Sequence, residues 1–198
     1  MKIYRDHYFL KAKQQNYPAR SVYKLKEIDE KFKIFRPGMR VLDLGAAPGS
    51  WSLAASERVG PSGCVFACDM QATETVLPAN VCFVTTDVFA LSDEFEEALA
   101  RCAPFDVVLS DMAPATTGTR FSDQARSYAL CCEALKIAVR CLKPGASFVA
   151  KIFMGPDVQE FLAAMRKHFT SVKGFKPKSS RTESKETFYV GLGLKGRA

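Results

Sequence analysis

Val41-Leu-Asp-Leu-Gly-Ala-Ala-Pro-Gly-Ser-Trp51 reads as a short apolar strand, a glycine-rich turn and the start of a helix. Such a turn brings backbone N–H groups close to a small ligand, because glycine lets the chain bend where a Cβ would obstruct it. An acid, Asp43, stands two residues before Gly45, and Pro48-Gly49 closes the turn. A nicotinamide site favours G-x-G-x-x-G after the first strand, and neither Pro48 nor the placement of Asp43 fits that fingerprint.

Working outward, apolar runs of four to seven residues alternate with amphipathic stretches. The runs predict strands near 40–44, 64–68, 81–84, 106–110, 147–152, 172–175 and 187–194. Helical periodicity fits 21–32, 51–59, 93–102, 122–142 and 156–168. Strands alternating with helices give an α/β sandwich with a mostly parallel sheet. Pro-Gly turns at 37–38 and 144–145 each precede a strand, and Asp93 is placed to cap the helix after it. Thr116-Thr-Gly-Thr119 reads as a mobile loop at the sheet's C-terminal edge, where open α/β sheets bind ligands.

A chain of 198 residues, 47% hydrophobic and 25% charged, can fill one core as a single domain, 1–198. No apolar run approaches the roughly 18–20 residues that span a bilayer, and the first residues lack a secretory signal's apolar stretch. A cytoplasmic protein is expected. Seven cysteines form no C-x-x-C pair, and His7 and His168 lie far apart, so no metal site is expected. The thiols read as reduced, mostly buried small hydrophobes.

Charge is unevenly placed. Residues 1–40 carry eleven Lys/Arg against four Asp/Glu, 41–166 nine against fifteen, and 167–198 eight against two. Two basic ends around an acidic middle suit a polyanion-binding face flanking a small-molecule pocket.

The acids of the middle fall at strand ends. Asp69 closes the second predicted strand, where a carboxylate can accept both hydroxyls of an adenosine ribose. Asp87 follows the third and can accept from an adenine amino group. Pro48 and Asp43, two residues before Gly45, match the first motif of Rossmann-like methyltransferases. Trp51 is read as a cofactor contact, with a core aromatic as its competing role.

The resemblance then extends over nearly the whole chain. Asp6-x-Tyr8, Ala12-Lys13, Arg20-Ser21-x-x-x-Lys24-Leu25, Gly45-Ala-Ala-Pro-Gly49, Asp106-Val-Val-Leu-Ser-Asp-Met-Ala-Pro-Ala-Thr-Thr-Gly118, Lys151 and Ser184-Lys-Glu186 resemble the FtsJ/RrmJ (RlmE) family of ribosomal RNA 2′-O-ribose methyltransferases. The resemblance implies a Rossmann-like class I fold, with a seven-stranded, mostly parallel sheet, its last strand antiparallel, and helices on both faces. It implies S-adenosyl-L-methionine as cofactor and a uridine of large-subunit ribosomal RNA, in the A-loop, as target. Its catalytic set maps onto Lys24, Asp111, Lys151 and Glu186. Cofactor binding maps onto Asp43, Gly45, Pro48, Gly49, Trp51, Asp69, Asp87 and Asp111. Residues 1–35 would be a basic RNA-binding extension packed on the catalytic domain, and the protein a monomer. Two departures stand out: Ser50 where relatives usually carry glycine, and Pro18-Ala19 in place of a more basic pair.

The chemistry explains these residue types. A ribose hydroxyl is a poor nucleophile, so the enzyme must align it and assist loss of its proton. Lys151 is the expected assisting group; partial burial and a second ammonium, Lys24, would make some neutral amine available. Asp111 and Glu186 would hold the lysines and orient the hydroxyl. Base methylation fits less well, since Met112-Ala-Pro-Ala115 offers no ring to stack on a flipped base and no cysteine lies between Cys102 and Cys131. The alternatives are a tRNA or cap-type 2′-O-methyltransferase, or an RNA-binding assembly factor with a residual cofactor pocket.

Overall fold

A computed structural model describes residues 7–181 and 183–196. Asp6, quoted above with Tyr8, lies outside them. Seven strands form one sheet in the order β3-β2-β1-β4-β5-β7-β6. They are β1 (Arg40–Leu44), β2 (Cys64–Asp69), β3 (Val81–Thr85), β4 (Phe105–Ser110), β5 (Leu142–Phe153), β6 (Phe169–Phe175) and β7 (Glu186–Leu194). The pairings from β3 through β5 are parallel, and β7 runs antiparallel between β5 and β6.

Among the described residues six helices accompany the sheet: α1 (His7–Gln14), α2 (Val22–Phe32), α3 (Ser50–Val59), α4 (Asp93–Cys102), α5 (Arg120–Cys141) and α6 (Val158–His168). Strand side chains alternate between faces, and the core divides accordingly. Leu42, Val108, Phe148, Ala150 and Ile152 meet buried residues of α4, α5 and α6. Val41, Leu109, Val149, Phe188 and Val190 meet those of α2 and α3. Beyond the register shift at Phe105, which itself joins the other cluster, the odd-numbered positions of β1, β4 and β5 therefore face α2 and α3. Asp43, Asp111 and Lys151 continue those positions toward the sheet's C-terminal edge, so alternation alone gathers three ionisable groups.

Several expectations need correction. Helix α1 was not predicted: eight residues with only Ala12 buried carry little apolar periodicity. Ser92, not Asp93, caps α4, its hydroxyl accepting from the Phe95 N–H at 3.2 Å, while Asp93 is the first helical residue. Pro144-Gly145 does not precede β5 but lies within it, where the register with β4 shifts between Phe105 and Val107 and Gly145 takes φ 82°. The thiols are less uniformly buried than expected: Cys68, Cys131 and Cys141 are, Cys64, Cys102 and Cys132 are half-buried, and Cys82 is exposed. Among the described residues no helix is long and apolar enough to cross a membrane.

Candidate active site

In this strand order the chain turns from one half of the sheet to the other beside β1 and β4, the place where an open α/β sheet leaves a crevice at its C-terminal edge. A cavity of about 280 Å3 lies there, with Gly45, Asp69 and Asp111 in its wall together with Ala47, Gln71 and Met112. Gly45 has φ 78°, and a Cβ on it would lie 2.5 Å from Met112 Cγ. Glycine is required because the turn after β1 and the exit of β4 pass so closely there. Gly49, at φ 105°, starts α3. The Pro48 carbonyl accepts from the Thr73 and Thr75 hydroxyls at 2.9 and 2.5 Å, which ties the turn to the segment after β2.

Asp69 is oriented by the turn itself. Its Oδ2 accepts from the Ala47 N–H at 3.0 Å and its Oδ1 from the Gln71 N–H at 2.9 Å. Each carboxylate oxygen keeps a further lone pair for a ligand. Asp43 is wholly buried behind the turn, with Oδ2 accepting from the Ser52 hydroxyl at 2.7 Å and Oδ1 unpartnered among the described residues. Burial pushes its carboxyl up to about 7; Ser52 opposes that shift, while the charges of Asp111 and Asp69 add to it. Asp69 and Asp111 in the cavity wall, with Asp43 buried behind it, favour a cationic ligand.

Of the expected contacts, Asp43, Pro48, Gly49, Trp51 and Asp87 are not in the wall of this cavity. Trp51 is only 2% exposed and sits in the core, its indole donating to the Ser21 carbonyl at 2.9 Å and stacking on Phe188 at 5.7 Å. Its ring is not in the cavity wall, and the core-aromatic reading describes it. Asp87 accepts from the Phe89 N–H at 2.9 Å, and its neighbours Thr86 and Val88, rather than Asp87 itself, line the cavity.

The four remaining residues converge at the same edge. Strand register aligns Ser110 with Ala150, which sets Lys151 beside Asp111. It also pairs Lys151 with Phe188 and Phe153 with Glu186, making Lys151 and Glu186 diagonal neighbours on one face. Lys151 Nζ donates to the Asp111 carbonyl at 2.6 Å and lies 2.9 Å from Asp111 Oδ1 and 3.9 Å from Glu186 Oε1. Glu186 Oε2 accepts from Lys24 Nζ at 2.6 Å and from the Ser184 hydroxyl at 3.1 Å. Burial alone would raise the Glu186 carboxyl, but Lys24, then Lys151, then the hydrogen bonds from Lys24 and Ser184 hold it below the ordinary value. Glu186 thus sits between two ammonium groups.

Sequence reasoning missed several members of this site. Ser52, which orients Asp43, looks like an ordinary polar residue in the sequence, and Ser184, quoted above within a motif, had no role assigned although it orients Glu186. Thr73 and Thr75 belong to an irregular segment without periodic signal. The two departures meet: the buried Ser50 hydroxyl accepts from the Ala19 N–H at 2.7 Å. A second cavity of about 360 Å3 opens against Lys24 and Glu186, walled also by Arg20, Arg181 and Ser184.

An open seven-stranded sheet with one antiparallel strand, an acid-lined crevice beside a glycine turn and helices on both faces defines a Rossmann-like methyltransferase. The family model of FtsJ-like methyltransferases matches residues 17–194, and the chain belongs to that family. It is 71% identical to a ribosomal RNA large subunit methyltransferase E of Nitratidesulfovibrio vulgaris, over 99% of this chain and 96% of the relative. It is 57% identical to the protein of the same name from Lawsonia intracellularis, over 98% of each. A crystal structure from Plasmodium falciparum, described as a ribosomal RNA methyltransferase, superposes with a TM-score of 0.79 at 24% identity, covering 91% of this chain and all of the other, a likeness of fold.

Proposed function

We propose that this chain transfers a methyl group from S-adenosyl-L-methionine to a ribose 2′-hydroxyl of large-subunit ribosomal RNA, at a uridine of the A-loop. The observation that carries the reaction type is Lys151, buried at the end of a central strand between Asp111 and Glu186 and next to the acid-lined cavity. The names of the relatives supply the RNA class.

The residues present fit the cofactor. A buried, unpartnered carboxylate oxygen on Asp43 and the acids Asp69 and Asp111 match a ligand that carries a sulfonium and an ammonium. Asp69 would take the ribose hydroxyls, Gly45, Pro48 and Gly49 would shape the backbone approach, and Asp87 would stand near the base. When bound, the cofactor supplies an electrophilic methyl group.

The chain's own residues do the rest. Lys151 assists departure of the 2′-hydroxyl proton, as acceptor from its amine form or by stabilising the developing oxyanion from its ammonium form. Asp111, which meets Lys151 through both carbonyl and carboxylate, fixes where Nζ points. Glu186, held by Lys24 and Ser184, limits the directions from which the hydroxyl can approach. The basic ends, with residues 1–35 as an extension on the catalytic domain, attract the RNA backbone. The protein acts in the cytoplasm as a monomer.

The test is incubation with methyl-labelled cofactor and undermethylated large subunits, followed by mapping of the modified nucleotide. Label on one 2′-oxygen of the large-subunit RNA is expected. Label on tRNA or a cap, or transfer to a substrate with a 2′-deoxy target nucleotide, would overturn the reading.

A further inference from the structure

Away from the cavity and the ion-paired residues, α1, α2, the end of β6 and the segment after it enclose a groove of about 650 Å3. Tyr8 of α1, Tyr23 of α2 and Phe175 of β6 supply rings to its walls, and Lys11, Lys26, Lys31 and Lys178 supply cations. Tyr8 and Tyr23 stand 5.3 Å apart, and Phe175 meets Phe32 edge-on at 5.8 Å. Three of the four ammonium groups lie over rings: Lys11 is 5.1 Å from the Tyr23 centroid and Lys31 4.7 Å from that of Phe175, while Lys26 is 4.2 Å from Tyr17, outside the groove, and 5.9 Å from Tyr23.

Charge in the groove is poorly compensated. Among the described residues none of the four lysines has a carboxylate within ion-pairing distance. Glu27 and Glu30 also line the wall, but both Glu27 oxygens are occupied by the Lys178 and Ser179 N–H groups, at 2.6 and 2.9 Å. Four lysines against two wall carboxylates leave a cationic excess, and with the half-exposed rings of Tyr8 and Phe175 it matches a polyanion whose bases are free to stack. A duplex keeps its bases in its interior and cannot use such rings.

The groove also adjoins the cavity at Lys24. Arg20 lines that cavity, and its guanidinium stands 5.6 Å over the ring of Tyr8, which lines the groove. Glu27, on the same helix as Lys24, accepts from the Lys178 and Ser179 N–H groups, and Arg20 donates to the Ser179 carbonyl, so one short segment touches residues of both linings. A strand whose target ribose reaches Lys151 can thus continue over α2 into the groove.

We infer that this groove is a docking track for unpaired RNA nucleotides flanking the methylated one, with bases on Tyr8 and Phe175 and phosphates on Lys11, Lys26, Lys31 and Lys178. The inference rests on the reading of the chain as an RNA methyltransferase.

The test uses the full chain and fluorescein-labelled oligouridylate of roughly 12 nucleotides, within the span such grooves cover, beside a hairpin duplex of equal charge. Tyr8→Leu and Phe175→Leu keep apolar bulk and remove a ring. Each should weaken oligouridylate binding about 10-fold, as expected for loss of one base stack, and leave hairpin binding within twofold. Lys26→Met with Lys31→Met, which keeps the apolar stems over the rings, should reduce the salt slope of oligouridylate binding by about 1.4. Cofactor affinity, measured by calorimetry, shows that each variant is folded. If a ring variant failed to fold, the lysine pair alone would decide. Unchanged oligouridylate binding in the folded variants, or equal weakening toward the hairpin, would show that the lysines merely cover apolar rings. Failure of the underlying reading looks different: the wild-type chain would then transfer no label to ribosomal RNA at all.

Discussion

Lys24 and Glu186, 162 residues apart in sequence, meet at 2.6 Å where α2 passes the start of β7. Both side chains are largely covered, 12% and 22% exposed, so the pair is screened less than a surface one. Glu186 leans on this contact more than on its longer approach to Lys151 at 3.9 Å. The pair fastens the helix that carries the basic residues of α2 to the strand that flanks Lys151.

Lys24→Met should expose that dependence through pH. The folded-state value of Glu186 is depressed, so its stabilising contribution is present above the ordinary carboxylate range and is lost as pH falls through the depressed value. Without Lys24, burial opposes only Lys151 and Ser184, and the carboxyl titrates at higher pH. The acid limb of the rate profile and of the thermal melting curve should both move to higher pH. Superimposable acid limbs for wild type and variant would show that Lys24 does not set the charge of Glu186.

Lys151→Ala should lose at least ~10²-fold in single-turnover rate while cofactor affinity stays near normal. Lys151→Arg sharpens the result. Arginine keeps the charge but cannot release a proton in this pH range. An inactive arginine variant means that Lys151 takes the proton, and partial recovery means that it acts by charge. Near wild-type turnover in Lys151→Ala would remove it from the reaction and leave Asp111 as the centre of the site.

The parts legible in the sequence are those that depend on local periodicity or on one connected motif. The apolar runs located the five parallel strands, because a buried parallel sheet writes itself as continuous apolar segments, and they located β7 and the end of the largely uncovered β6. The glycine turn and the acid of β2 located the cavity. Helix α1 left no such trace, since Ala12 is its only buried residue. Trp51 was ambiguous for a physical reason: the second position of a helix beside a ligand turn can point to ligand or core, and packing on Phe188, far along the chain, decides it. The contact between Ser50 and Ala19 and the groove beneath Tyr8 and Phe175 likewise need tertiary juxtaposition.

Asp69→Ala should weaken cofactor binding roughly 10-fold, through loss of two ribose hydrogen bonds worth ~0.5–1.5 kcal/mol each. It also removes the acceptor for the Ala47 and Gln71 N–H groups, so the glycine turn loosens. Asp69→Asn separates the two effects. Its amide oxygen can still accept one backbone N–H, while its NH₂ cannot accept from a hydroxyl. Calorimetry showing wild-type affinity in the alanine variant would place the ribose elsewhere.

Asp43 gives the clearest signature in the chain without ligand. Burial raises its carboxyl to about 7, with Asp111 and Asp69 adding to the shift against the hydrogen bond from Ser52. Below about pH 4 the group is protonated both folded and unfolded, so it adds no pH dependence. Between about pH 4 and 7 the folded chain holds a proton that the unfolded chain has released, so stability falls as pH rises. Above the folded value both states are ionised and the slope vanishes. Asp43→Asn cannot titrate and keeps an oxygen for the Ser52 hydroxyl, so its unfolding free energy should lack this descending limb. Cofactor binding gives an independent check. A cationic ligand beside three acids favours ionised Asp43, so binding near pH 6.5 should release a proton, and the calorimetric enthalpy should change with the ionisation enthalpy of the buffer. Wild type and Asp43→Asn with identical pH–stability curves and no buffer dependence in either would mean that Asp43 is ionised at neutral pH in the free chain. The unpartnered Oδ1 would then be a buried charge that the fold tolerates without the proton.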